Sequence, residues 1–294
     1  MKKVVGLGAC VFDTLIHCDN YPIEDTKQKA QDVFVSGGGP VGNALVVMSK
    51  LGVKTQVVGG FADDSAGKYL LNDFEKYGVN VDSVTVLENK SSFTSYILLS
   101  DAKATRTCIF DRGTVPDEPN NVNLSAIKDA FLLHLDGNYL ESAITAGKFA
   151  KENGVKVSLD AGGVYPNIEK LLPLVDVLIP SAEFALKITG KDDIPSAMKV
   201  LNEKYHPEVL VVTDGSNGGY YWNGEIAVHY DSVKVNALDT NGAGDTFHGA
   251  FIVAYCDGKS VRDCCDFASK VAGYKCTQKG ARTYPLSKEI VENL

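Results

Sequence analysis

The chain has 294 residues, 45% of them hydrophobic and 22% charged, enough for one large α/β domain or two small ones with a sizeable core. A formal net charge of -8 argues against nucleic acid or an anionic membrane as the main partner, so an anionic co-substrate must be drawn by local features. Seven cysteines without a CxxC pair read as reduced thiols of a cytoplasmic protein, and no segment approaches the ~18 apolar residues of a membrane span.

Val4–Phe12 reads as a buried strand with Asp13 at its end. Residues 13–35 alternate weakly around Tyr21-Pro22 and predict exposed strands. The glycines at 37–39 form a loop, and a helix follows to Lys50, ended by Gly52. Lys54–Val58 predicts a strand, Gly59–Ser65 a loop, and Ala66–Tyr77 a helix stopped by Gly78. Val84–Leu87, Phe93–Ser100 and Thr105–Phe110 are strand-like. After the polar break GTVPDEPNN the rhythm is plain α/β alternation. Strands are expected at Phe131–Leu135, Lys156–Leu159, Val175–Ile179 and Val209–Thr213, with helices at Ser142–Asn153, Ala182–Thr189 and Ile194–Lys204. Asn223-Gly224 marks a hairpin between Tyr220–Trp222 and Ile226–His229. Two helices, Asp245–Cys256 and Val261–Thr277, close the chain. Alternation of this kind implies a mostly parallel sheet covered on both faces. No linker is visible, so a single domain over 1–294 is expected. The strands near 13–36 and 91–112 lack crossover helices between their members and fit a small β lid.

The stretch LDTNGAGDTFHGAF, residues 238–251, reads as a turn opening directly into a helix. The amides of Gly242, Ala243 and Gly244 would be donors at a helix N-terminus, suited to a phosphate. Asp245 is then either a first-turn acid that satisfies the helix dipole or a general base beside that phosphate. A second glycine cluster, Gly37-x-Gly39-x-x-Gly42, matches a dinucleotide fingerprint by letter. It lacks the preceding core strand that such a fingerprint requires. No Walker A pattern is present.

DTNGAGDTF resembles the signature of the ribokinase-like (PfkB) family of carbohydrate kinases, and the resemblance runs over nearly the whole chain. It implies a three-layer α/β fold with a mostly parallel central sheet, a small β lid, and ATP-dependent phosphorylation of a sugar hydroxyl. Asp245 becomes the catalytic base, with Gly242, Ala243 and Gly244 as the anion hole. GGGPVGN resembles the family's substrate loop, which places Gly38, Gly39 and Asn43 at sugar hydroxyls together with Asp13, Asp136 and Arg106. VLVVTDGSNGGYYW resembles the nucleotide loop, giving Thr213, Gly215 and Gly218, with Thr240, to ATP. IPSAEFALKITG resembles the segment that holds Mg2+ through waters, with Glu183 one position early. Asp239 and the loop 278–283 resemble a monovalent-cation region, implying K+ in some members. Pro40 and Val11 depart from ribokinase proper, and the N-terminal segment and SSFTSYILLSDAKATRT look closer to ketohexokinase-like branches. A nucleoside kinase of the same family is the alternative, with Phe12, Tyr96 or Phe110 as the slot for a base. A sugar sensor without catalysis is the outsider. The partners expected are a sugar and ATP, with a homodimer formed through the lid.

Overall fold

Val4 and Val5 face opposite sides of the first strand and both are fully buried. A strand buried on both faces belongs inside a sheet that is covered on both sides. The computed structural model describes residues 2–100, 102 and 105–294. Asp101, Lys103 and Ala104 of the expected lid segment lie outside the described residues.

In chain order the strands are β1 (Lys3–Leu7), β2 (Val11–Cys18), β3 (Asp32–Gly38), β4 (Lys54–Val57), β5 (Gly59–Ala62), β6 (Val84–Leu87), β7 (Thr94–Ser100), β8 (Thr105–Asp111), β9 (Leu132–Leu135), β10 (Lys156–Ala161), β11 (Val177–Pro180), β12 (Val209–Thr213), β13 (Gly219–Trp222) and β14 (Ala227–Tyr230). The helices are α1 (Pro40–Lys50), α2 (Ser65–Lys76), α3 (Leu140–Glu152), α4 (Ala182–Thr189), α5 (Ile194–Tyr205), α6 (Ala243–Cys256), α7 (Val261–Cys276) and α8 (Lys288–Glu292).

The large sheet runs β14-β13-β12-β11-β10-β9-β1-β4. It is parallel from β4 to β12, and the β13–β14 hairpin is added antiparallel at one edge. Alternation along each strand feeds two cores. Val4, Leu132, Val177 and Val211 pack under α1, α6 and α7. Val5, Leu133, Leu178 and Leu210 pack under α3, α4 and α5 on the other face. Each layer buries its apolar stripe against the sheet, giving the three-layer α/β architecture. A second, four-stranded sheet, β3-β2-β7-β8, forms the lid. Among the described residues no helix is long and apolar enough to cross a membrane.

Three expectations fail. The single strand Val4–Phe12 is two strands, broken at Gly8–Cys10, so Asp13 lies inside lid strand β2 and not at the end of a core strand. The cause is Asp136: its Oδ2 accepts the Ala9 amide at 2.8 Å, and a Cβ on Gly8 would sit 2.5 Å from its carboxylate. The apolar run conceals that bend. Gly59–Ala62 is a strand, not a loop, because β6 pairs with it in parallel register. A short helix, α8, capped by Ser287, follows the two expected last helices.

Candidate active site

The carboxyl ends of β1, β9, β10, β11 and β12 converge on one cleft, where ligands of open α/β sheets bind. A cavity of about 590 Å³ there is roofed by the lid and lined by Asp13, Asn43, Arg106, Asp136, Asp160 and Asp245 among others. A second cavity of about 320 Å³ continues from it between the β12–β13 turn and α7. The two share Thr213, Thr240, Ala243 and Gly244.

The turn at the junction is built by Gly242. It adopts φ 77° as the N-cap of α6, and a Cβ there would meet Ala281 at 2.7 Å. Gly244 differs: it is helical, and a Cβ on it would meet nothing within 4 Å. Its smallness keeps cavity space open and is not a backbone necessity. The Ala243 amide turns back to the Thr240 carbonyl at 3.2 Å. The amides of Gly242 and Gly244 make no such backbone bond among the described residues. One turn on, Asp245 Oδ2 accepts a hydrogen bond from Asn43 Nδ2 at 2.6 Å. Burial pushes the Asp245 carboxyl upward, against the pull of Asn43, Arg106 and Arg282.

Asn43 therefore holds the aspartate in place. Its Oδ1 accepts from Arg282 Nε at 2.8 Å, so the amide cannot flip. Arg282 is fully buried and also donates to the Gly38 carbonyl at 2.6 Å and to Asp73 Oδ2 at 3.2 Å. Sequence reasoning missed this arginine; it lies in an irregular loop with no periodic signal. Gly38 does not line the cleft. A Cβ on it would fall 1.9 Å from Asp13 Oδ2, so this glycine makes room for Asp13. Gly39 does line it, with φ 85° as the N-cap of α1. Asp13 accepts from Ser95 Oγ at 2.6 Å, and burial pushes its carboxyl up to about 6. Arg106, on β8, reaches from the lid to Asn241 Oδ1 at 2.6 Å. Asp136 lines the cleft, but its oxygens are taken by the Ala9, Val41 and Asn138 amides. That bonding makes it a tie between loops more than a free ligand.

On the second cavity, Gly215 (φ 54°) and Gly218 (φ 84°) close a tight turn after Thr213. A Cβ on Gly218 would meet the Tyr230 carbonyl at 2.1 Å. Val233, Val235, Ala272 and Phe247 supply apolar walls there. Glu183 is exposed in the first turn of α4 and lines neither cavity, while Ser181, whose Oγ caps that helix, lines the first. Asp239 does not fit K+. Its carboxylate accepts the Asn241 and Gly280 amides at 2.7 and 2.8 Å, and its carbonyl accepts the ammonium of Lys275 at 2.7 Å. A second cation on those oxygens would face the lysine charge directly.

Of the aromatic residues expected to form a base slot, only Phe110 lines the cleft, joined by Phe93 and Tyr165. Phe12 packs edge-on against Tyr69, and Tyr96 alternates to the outer lid face. Beside Asp245, His248 Nε2 lies 3.2 Å from Asp160 Oδ1, and both residues line the cleft. Burial pushes the His248 imidazole well below and the Asp160 carboxyl well above their ordinary values, so burial disfavours the charged form of each partner. His134 is fully buried behind them, with its Nδ1 3.4 Å from Ser158 Oγ and its ring centroid 6.1 Å from that of His248.

The chain belongs to the pfkB family of carbohydrate kinases, whose model matches residues 1–289. It is similar to a nucleoside kinase of Methanothermobacter thermautotrophicus, 25% identical over 96% of this chain and 92% of that protein. A ribokinase of Schizosaccharomyces pombe is 28% identical over 96% of this chain and 94% of its own length. The structure of Arabidopsis thaliana ribokinase complexed with ribose and ATP superposes with a TM-score of 0.86, at 26% identity over 99% of this chain and 98% of that one.

Proposed function

We propose that the chain transfers the γ-phosphoryl group of ATP to a hydroxyl of a small sugar of the ketose or pentose type. The observation that carries this is the place of Asp245. It stands between the polar cleft under the lid and the amide turn shared with the second cavity. A sugar hydrogen-bonded to Asp13 would present a hydroxyl to Asp245, which takes its proton. The Gly242 and Gly244 amides and the N-terminus of α6 stabilise charge on the transferred group. Arg106, tethered to Asn241, adds a fixed positive charge from the lid. Thr213, Gly215, Gly218 and Thr240 border the nucleotide, whose base takes the apolar slot. An Arabidopsis relative complexed with both ribose and ATP supports a sugar and ATP as the two substrates.

Mg2+ takes only one or two carboxylates besides phosphate and water. Glu183 is exposed and lines neither cavity, so any hold it has on the ion would have to run through water. The ion would neutralise phosphate charge there. A nucleoside acceptor is the second reading. Phe93 and Phe110, 5.8 Å apart, and Tyr165 offer ring faces to a base, and a nucleoside kinase is among the relatives.

ADP release over fructose, ribose and adenosine on one preparation separates the readings through relative kcat/KM. A sugar is expected to win; adenosine ahead by tenfold overturns that choice. Asp245→Asn is expected to lower turnover by about 10²–10⁴ while ATP still binds. Turnover within a few-fold of the parent would remove the base assignment.

A further inference from the structure

A lysine ammonium is sealed beneath the anion-hole loop. Lys275 ends a stripe of α7, Cys264, Ala268, Val271, Lys275, that is otherwise apolar and buried, and it is itself 0% exposed. Its Nζ donates to the Asp239 carbonyl at 2.7 Å and lies 3.7 Å from Asp239 Oδ1. The same carboxylate accepts the amides of Asn241 and Gly280 at 2.7 and 2.8 Å. The amides of Leu238 and Asp239 bond the Cys276 carbonyl at 2.7 and 3.1 Å. One buried positive charge thus sits where three segments meet: the end of α7, the turn at Gly280, and the run from Asp239 to the left-handed Gly242.

A lysine in an apolar stripe is costly unless paired, and no packing need is met better by an ammonium than by methionine. The charge has a specific recipient. Asp239 orients Asn241, Asn241 receives Arg106 from the lid, and Gly242, on the first cavity, leads into Ala243 and Gly244, which border both. We infer that Lys275 is the built-in cation of this site: a positioning residue that orders the amide turn and makes it independent of added monovalent cations. The activity arm of the test rests on the kinase reading; the melting arm does not.

The parent is assayed, and melted, in KCl, NaCl and choline chloride at equal ionic strength. Turnover within twofold and unchanged melting are expected. A tenfold rise on adding K+ overturns the inference. Lys275→Met leaves Asp239 without its counter-charge. Its turnover should fall tenfold or more in choline chloride, and K+ or ammonium should restore at least a third of it and raise the variant's melting temperature. A folded variant with parental turnover in choline chloride, or one impaired and not rescued by any monovalent cation, also overturns it. Should the variant fail to fold in every salt, the salt response of the parent decides. A parent inactive on every sugar and nucleoside sinks the kinase reading alone, and the two melting curves then decide Lys275.

Discussion

At Asp13 the proposed sugar contact and the stability of the fold pull in opposite directions. Its carboxyl is pushed from 3.8 to about 6, chiefly by burial, although Ser95 and Arg282 oppose the shift. The native state therefore holds a proton that the unfolded chain has released between pH ~4 and ~6. Its contribution to stability is full below pH ~4 and lost as pH rises through about 6. At neutral pH the ionised group costs the empty cleft up to about 3 kcal/mol. On the proposed reading, a sugar's hydroxyls would recover that by pairing with it. Asp13→Asn should accordingly raise the melting temperature by several degrees at pH 7.5 and by much less near pH 4.5. It should also lower kcat/KM for the sugar about 10-fold to 10²-fold, the loss of a charged hydrogen bond. A variant that melts below the parent at pH 7.5 would show that the carboxylate supports the fold instead. Single residues of this kind were only partly legible in the sequence. Asp245 and Gly242 were, because a glycine turn opening a helix has a local physical reason. Arg282 was not, since its partners Asn43, Gly38 and Asp73 are more than two hundred residues away in the chain. Lys275 did leave a sign, a charge at an apolar position of the α7 stripe.

The loop and α6 act as one element, and its two glycines do different work. Gly242 must take φ 77° against Ala281, whereas Gly244 is an ordinary helical residue with open space beside it. Gly244→Val should thus fold with a melting temperature within a few degrees of the parent, because helix propensity changes little. Its side chain would occupy the junction of the cavities, so turnover should drop at least tenfold and ATP affinity with it. A folded variant with parental kinetics would remove the phosphate from this position. Gly242→Val, by contrast, should lose stability through both strain and contact. Elements with a strong period, α6, α7 and the β13–β14 hairpin, were readable because local pattern and tertiary demand agree there. The β1–β2 break and β5 were not. The first is imposed by Asp136 and the second by pairing with β6, and neither partner is visible in the local run.

The lid presents one face to the cleft and the other away from it. Register places Ser95 opposite Phe110, Ile97 opposite Cys108 and Leu99 opposite Arg106; of these, Ser95, Ile97, Cys108, Phe110 and Arg106 line the cleft. The intervening residues point away. Val33, Val35, Tyr96 and Ile109 stand 55%, 43%, 52% and 61% exposed on the outer face. Large apolar side chains gathered on one sheet face leave a patch that water solvates poorly. The homodimer through the lid expected from the sequence would cover it with the same face of a second copy about a two-fold axis. Such contact would also stiffen β8, whose seven residues are all exposed and which carries Arg106. The double change Tyr96→Arg with Ile109→Glu touches neither cavity. It should convert a dimer to a monomer in sedimentation at micromolar protein. The KM for the sugar should rise several-fold as the lid loosens, while ATP binding changes little. A parent that sediments as a monomer at tens of micromolar, or a monomeric variant with an unchanged KM, would separate the lid from assembly and leave the outer face without that role.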